Sequence, residues 1–406
     1  FKMRDLQMAR CEGDFRCWVE TPGVCHIEDD GREIARAVHD SDALFLVGPS
    51  SFGGYPSQVK KGLDRIIGLV LPFFASRGGQ THHAARYSRS PSLLAALWHP
   101  HPSQELNRTV QRLVQRNAIN LLAPRHAAVL LGPSPEAWGK ALDDLVCVAQ
   151  RTGSDVPPDA DPALEHRALL DAASASQVET GPAPLRSVVL VGSARPKATS
   201  TSEVLGSALV PRGGELVHFV TEFVHDGGAA QRCIEDVLAS DLFVLASPLY
   251  VDSLPFLATR ALERIASAAA RSAKRPRCAA VINCGFPEAE HCTPALRIAR
   301  SFADEAGFVW AGGLALGGGE IIHGQPLDKV GKVVVRARAA LESAAAALQE
   351  GEAIPDEAIE ELSRPLLPPW LYRVAGEWRS WLDARQNGVS RRQLSARPFD
   401  ASVGRP

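Results

Sequence analysis

The stretch Val188-Val-Leu-Val-Gly192-Ser-Ala-Arg195-Pro-Lys-Ala-Thr-Ser200-Thr-Ser-Glu203 decides the fold. Ser187 to Val191 is too short for a helix and rich in valine, so it reads as a buried strand. Gly192 lets the chain turn sharply. Ser200, followed three residues later by Glu203, has the form of a capping box and marks a helix start. A helix N-terminus offers unpaired backbone N–H groups and the positive end of a dipole. Ser193, Thr199, Ser200, Thr201 and Ser202 place hydroxyls around that point. Such a loop suits a phosphate monoester, and it equally suits an ordinary capped helix after a strand. It is no Walker loop, because Gly-Lys-Ser/Thr is absent, and it lacks the spaced glycines of the dinucleotide fingerprint.

The loop resembles the phosphate loop of the flavodoxin-like NAD(P)H-dependent FMN reductases, where Gly-Ser-x-Arg, a spacer and Ser/Thr residues hold the FMN phosphate. The resemblance implies that Ser193, Arg195, Ser200, Thr201 and Ser202 bind FMN.

Bulk properties narrow the remaining choices. The 406 residues are enough for two or three domains with ample core. A net charge of −2 gives no electrostatic case for nucleic acid or an anionic membrane surface. No apolar run reaches the length of a spanning helix, and no secretory signal is visible. Eight cysteines in so long a chain make no disulfide framework, which fits a reducing cytoplasm. Phe1 in place of an initiating methionine points to a missing beginning.

Phe1 to Met8 reads as a strand leaving a core. Cys11, Cys17-Trp18, Pro22-Gly23-Val-Cys25 and Asp29-Asp30 follow. This run resembles flavodoxin-family reductases with a Cys-rich loop, of the iron–sulfur flavoprotein type. Relatives often carry a further cysteine where Asp14 stands. A thiolate-held cluster takes four ligands, and only Cys11, Cys17 and Cys25 are present. Tetrahedral zinc has the same shortage unless His26 or Asp14 joins. The run therefore reads as a structural loop with idle thiols, and no metal site is assigned.

The helical spacing of Ile34, Ala37 and Val38 predicts a helix over 31–40, then a strand over 42–47 and a helix over 57–69. This block recurs at one offset of 199 residues. Ser41, Asp42 and Leu46 fall on Ser240, Asp241 and Leu245. Pro49 and Pro56 fall on Pro248 and Pro255, and Leu63, Arg65 and Ile66 on Leu262, Arg264 and Ile265. The match reads as an internal duplication of a strand–loop–helix unit. At the same offset the counterpart of 192–202 falls at or before residue 1. Either the sequence is cut short there or the first half holds no flavin.

Gln80-Thr-His82-His83-Ala-Ala-Arg86-Tyr87 follows a Gly-Gly turn, and neighbouring histidines seldom ligate one ion together. Strands are expected at 93–97 and 127–131 around a helix over 103–116. His99 and His101 read as solvated loop residues. Pro157 to Pro184 reads as a linker with one short helix near 164–172.

The second half alternates strands (187–191, 215–220, 242–246, 279–283, 308–313) with helices (from 200, 230–239, 256–270, 295–306). Alternation implies a doubly wound parallel sheet, whose ligands bind beyond the carboxyl ends of the strands. The phosphate loop, Pro248 to Ser253 and Asn283 to Phe286 all follow strands. In the flavin reading Pro248, Leu249, Tyr250 and Val251 pack the isoalloxazine edge. Asn283, Cys284, Gly285 and Phe286 approach its pyrimidine end. Leu249 and Cys284 read equally as core fillers. Gly317-Gly-Gly319 reads as a flexible loop, or as a close approach to the flavin or the partner half. The tail places Leu367, Trp370, Leu371, Val374, Trp378, Trp381 and Leu382 on a helical face docked on the chain or on a second subunit.

The expectation is an α/β protein with two tandem flavodoxin-like doubly wound parallel sheets, the first without its initial strand and phosphate loop. Domains are expected at 1–150 and 186–348, with a linker over 151–185 and a helical tail over 349–406. The resemblance implies an FMN-dependent NAD(P)H oxidoreductase. Hydride passes from NADPH or NADH to the flavin and on to a quinone, free flavin or other small acceptor. The cofactor carries that chemistry, so no catalytic acid, base or nucleophile is named. The two halves form a pseudo-dimer, or the chain a homo-oligomer. A non-catalytic electron-carrier flavoprotein is the alternative.

Overall fold

A computed structural model describes residues 1–151, 153–154, 162–175, 186–210, 215–225 and 227–400. The chain divides into two compact units. Unit 1 comprises Phe1–Ser50, Gln58–Asp161 and Trp370–Pro406, and unit 2 comprises Ser51–Ser57 and Pro162–Pro369. Most of the expected linker, Pro157 to Pro184, lies outside the described residues. Its described part is the helix Pro162–Ala173, which packs on the helix Thr293–Ala306 in unit 2.

Ten strands are described: β1 (Ala43–Pro49), β2 (Val70–Arg77), β3 (Gln80–Ala85), β4 (Ser92–Trp98), β5 (His126–Leu131), β6 (Ser187–Val191), β7 (Glu215–Phe219), β8 (Leu242–Pro248), β9 (Arg277–Asn283) and β10 (Val309–Leu316). Unit 2 has a five-stranded, wholly parallel sheet in the order β10-β9-β8-β6-β7. Numbered from β6 as the first strand, the order is 5-4-3-1-2, the flavodoxin-like doubly wound arrangement. Every residue of β6 is buried, as are Leu242 to Ser247 of β8 and all of β9. Valine-rich runs covered on both faces behave this way. Phe243, Phe302 and Phe308 meet edge to face beside this sheet, and Phe52 joins them on Phe302.

Unit 1 has a three-stranded parallel sheet, β1-β4-β5, the counterpart of the last three strands of unit 2. The first two strands of the winding have no counterpart among the described residues. Along β1, Phe45 and Val47 are exposed at 41% and 62%, whereas the matching β8 is sealed by β6.

Unit 1 corrects several expectations. Phe1 to Met8 is no strand; it carries a single 3-10 turn at Met3–Asp5. The helix expected over 57–69 ends at Leu63, and Val70 opens an antiparallel hairpin with β3. Trp18 Nε1 donates to Val70 O at 2.9 Å, and the turn is made by Gly78 and Gly79 at φ 56° and 74°. On β3, His82 is buried with Nδ1 2.6 Å from Asn120 Oδ1, while His83 packs between Trp18 and Phe74. Consecutive strand residues face opposite ways, so the two rings lie in different surroundings. His99 is buried rather than solvated.

The tail helix Pro369–Gln386 belongs to unit 1, and it meets that unit with residues outside the expected face. Tyr372 and Ala384 are buried, whereas Trp370, Val374 and Trp378 are exposed at 62%, 62% and 61%.

An ion pair whose arginine is buried anchors the start of unit 1. Arg65, its side chain fully buried, donates to both oxygens of Asp29 at 2.9 and 2.7 Å. Asp29 also accepts from Ala9 N and, as the cap of the helix Asp30–Asp40, from Gly31 N. Burial opposes the carboxylate, but the Arg65 and backbone hydrogen bonds outweigh it and hold the carboxyl below its usual 3.8. The pair therefore stabilises unit 1 fully above that value, and the contribution is lost as pH falls through the lower folded value. Asp29→Asn leaves a buried guanidinium without its counter-ion and should cost about 3–5 kcal/mol. Urea unfolding at pH 7 and across the acid limb checks both points: the variant's stability should be lower and should fall less steeply below pH 5.

Candidate functional site at the carboxyl edge of the unit 2 sheet

The connection from β6 leaves to one side of the sheet, and the path into β8 returns on the other. The crevice between their carboxyl ends is therefore the switch point of the sheet. Gly192 sits there because nothing larger fits. Its N–H bonds Ala246 O at 2.6 Å, and a Cβ on it would lie 2.4 Å from Ser247 Oγ. Ser193 is buried, and its hydroxyl accepts from Arg195 N at 3.2 Å.

The loop then curls back through Ala198, held at φ 61°. Ser200 is the N-cap of the helix Thr201–Ala208, as expected, but the capping box does not form. The Ser200 side chain makes no cap hydrogen bond, and Glu203 accepts instead from Ala198 N at 2.7 Å. The left-handed turn at Ala198 brings that amide into the reach of Glu203. The consequence is a helix start without a side-chain cap, beside the buried Ser200.

Two of the expected phosphate ligands are committed elsewhere. Thr201 Oγ1 donates to Gly319 O at 2.9 Å and accepts from Gly324 N at 3.4 Å. Ser202 Oγ donates to Asn283 Oδ1 at 2.7 Å, tying the helix to the end of β9. Arg195 reaches Glu320 at 3.5 Å, a partner that sequence reading missed. Glu320 directly follows the glycine run, which was its one available signal.

The loop after β8 is a tight turn. Tyr250 and Ser253 exchange N–H···O bonds of 2.9 and 3.1 Å, with Val251 at φ 48° and Asp252 at φ 54°. Positive φ at both central positions makes this a type I′ turn, an uncommon state for valine. Pro248, Leu249, Tyr250 and Val251 are half-buried and edge the crevice, while Asp252 turns inward and is buried. Leu249 N donates to Asn283 O at 2.8 Å, so the second and third loops are joined.

In the third loop a Cβ on the exposed Gly285 would meet nothing within 4 Å. Phe286 lies 4.6 Å from the buried His291 ring. The Cys284 thiol points away from the edge, to the carbonyls of Phe286 and Glu288 at 3.3 and 3.5 Å. Burial, with Cys284 alongside, pushes the Cys292 thiol well above 9.0. Both thiols are fillers of the interior.

Gly317-Gly-Gly319 does not form a flexible loop. Gly318 N donates to Phe286 O at 2.6 Å and Gly319 N to Cys284 O at 2.9 Å. A Cβ on Gly317 would stand 2.1 Å from Pro287 O. The close approach is to the Asn283–Ala289 segment, and it locks that segment in place.

No family model matches the chain, and no curated protein sequence matches it. Among solved structures, an NADPH-quinone reductase from P. pentosaceus is similar at 16% identity, over 39% of this chain and 97% of that one, with a TM-score of 0.30. A likeness of that size carries neither fold nor function. The strand order and loop geometry stand on their own.

Gly317→Ala should destabilise unit 2 by about 1–3 kcal/mol, the usual cost of forcing atoms into a packed interior. Urea unfolding followed by tryptophan fluorescence measures it; an unchanged midpoint would contradict the close packing of Gly317 on Pro287.

Proposed function

We propose that the chain is an FMN-dependent NAD(P)H oxidoreductase. Hydride passes from NADPH or NADH to FMN bound at the carboxyl edge of the unit 2 sheet, and then to a quinone, a free flavin or another small acceptor. The observation that carries this reading is the uncapped start of the helix Thr201–Ala208, placed at the switch point of a parallel sheet. The leading amides of a helix have no intrahelical acceptor, and the dipole favours an anion there.

The donor set fits a phosphate monoester with one revision. The backbone N–H groups of Thr201, Ser202 and Glu203, the Ser200 hydroxyl and the Arg195 guanidinium are the groups that would hold it. The Thr201 and Ser202 hydroxyls position the loop instead, through Gly319 and Asn283. Pro248 to Val251 and Asn283 to Phe286 would flank the ring. Bound flavin supplies the hydride chemistry; the chain supplies binding, orientation and a backbone-rich pyrimidine end.

The electron-carrier alternative calls for an acidic rim at the exposed flavin edge. Asp252, the acid of the middle loop, is buried, which weighs against it.

The pseudo-dimer reading draws support from the repeat. β1 and β8 occupy matching positions at the offset of 199, and the turns after them share one conformation. Ser51 and Gly54 exchange bonds of 3.0 and 2.8 Å with Phe52 and Gly53 at φ 59° and 80°. Ser51–Ser57 is itself part of unit 2. There Glu263 accepts from Ser51 Oγ at 2.5 Å and from Ser57 N and Oγ at 2.9 and 2.6 Å.

Full-length protein should purify yellow or take up FMN at one equivalent per chain, and anaerobic NADPH or NADH should bleach it. Ser200→Ala should weaken FMN binding by about tenfold or more, the worth of one hydrogen bond to a charged group. Protein that refuses FMN overturns the proposal. Bound flavin that neither nicotinamide bleaches turns it toward the carrier.

A further inference from the structure

A side-chain cluster in unit 2 takes no part in the flavin reading. His218 lies in β7, Glu222 in the 3-10 turn Val220–Phe223, and Cys233 and Asp236 on the helix Gly228–Ala239. His218 Nδ1 is 2.9 Å from Glu222 Oε2, and a ligand atom from each of His218, Glu222 and Cys233 lies within 4.8 Å of the other two. We propose that His218, Glu222 and Cys233 form a three-ligand binding site for a divalent metal ion of the zinc class.

The chemistry of the set points to that class. One imidazole, one thiolate and one carboxylate are a mixed N/S/O donor set, which suits zinc; calcium and magnesium take oxygen ligands. His218 and Glu222 are each held in place from behind. His218 Nε2 is 3.0 Å from Asp236 Oδ2, and Arg186 pairs with the other oxygen of Asp236. This is the carboxylate–histidine arrangement that fixes the ring and leaves the opposite nitrogen for a metal. Glu222 Oε1 accepts from Phe219 N at 3.1 Å, which leaves Oε2 as the oxygen facing the site. Cys233 is fully buried, and its thiol completes the third side. His218 and Glu222 keep side-chain exposures of 14% and 22%, so a hydrated ion can enter.

Without metal, the proton on Nδ1 occupies the place of the ion. Two tetrahedral zinc ligands of this kind stand about 3.4 Å apart, so the imidazole and carboxylate need separate by only about half an ångström. Loading releases two protons to solvent, one from the His218 imidazolium and one from the Cys233 thiol. A fourth position remains for water. The other grouping of comparable closeness, Glu12, Asp14 and His26, is already neutralised by Arg16, which reaches Glu12 at 2.9 Å and Asp14 at 2.5 Å.

The test uses the full chain, stripped with a chelator, desalted and titrated first with Co²⁺ and then with Zn²⁺. One equivalent of Co²⁺ should produce a thiolate-to-cobalt charge-transfer band that Zn²⁺ abolishes. Cys233→Ser should remove the band, whereas the combined Cys11→Ser, Cys17→Ser, Cys25→Ser variant should keep it. Asp236→Asn should weaken Zn²⁺ binding by about 10- to 100-fold, the usual effect of losing a partner behind a ligand. A folded wild type with no charge-transfer band overturns the proposal, as does a band that survives Cys233→Ser. Should circular dichroism show that Cys233→Ser does not fold, Asp236→Asn decides, and an unchanged Zn²⁺ affinity overturns the site.

Discussion

Unit 2 depends on one close approach, that of Gly192 to Ser247. The two strands of the switch point are joined there by a 2.6 Å hydrogen bond from Gly192 N to Ala246 O, with no room for a side chain between them. Because the strands stay together to their last residues, their following loops open from one point. Because the loop after β6 begins so tightly, it has room to curl through Ala198 and deliver a bare helix start to the crevice. The ties from Ser202 to Asn283 and from Thr201 to Gly319 then bind that helix to the loops after β9 and β10. Four loops from four strands are thus tied into one rim, the kind of preorganisation that the proposed flavin site would call for.

Much of this was legible in the sequence, because buried parallel strands announce themselves. Val188 to Val191 and Leu242 to Ala246 are apolar runs bounded by glycine or proline, and the turn chemistry fixes where they end. What was not legible arises from contacts distant in sequence. The spacing of Leu63, Ile66 and Val70 fits a continuing helix. Nothing local shows that Trp18 bonds Val70 O, or that a Cβ on Gly68 would lie 3.2 Å from Gly23 O. Those contacts hold the segment after Leu63 and lead it into β2.

The capping box at Ser200 does not form, and Trp370, Val374 and Trp378 of the tail do not dock on this chain, for a related reason: a local motif states what a segment can do, and its neighbours decide what it does. Glu203 can reach back to the cap, but the left-handed turn offers it Ala198 N first. In the tail the large apolar residues suggest the docked face, yet the helix docks along Tyr372, Gly376, Glu377 and Ala384. A Cβ on Gly376 would lie 2.7 Å from the Phe74 ring, so small residues set the contact by allowing close approach. Trp370 and Trp378 are left on the outside.

The mismatch between sequence halves and structural units carries a physical consequence. Ser51 to Ser57 belongs by sequence to the first repeat and by packing to unit 2. Its hydroxyls and one amide place three donors on Glu263, and its Phe52 ring abuts Phe302 in the aromatic cluster. Gly54 lies so near that a Cβ there would stand 2.7 Å from Ile298 Cδ1. A second repeat cut free at the linker would keep every strand of its sheet. It would still lose these donors and expose the flank of the cluster. The matching turn after β8 edges the proposed flavin crevice, so one strained motif serves packing in one copy and a ligand rim in the other. A type I′ turn with valine at positive φ persists only where its surroundings hold it, and here the bond from Leu249 to Asn283 and the burial of Asp252 supply that hold.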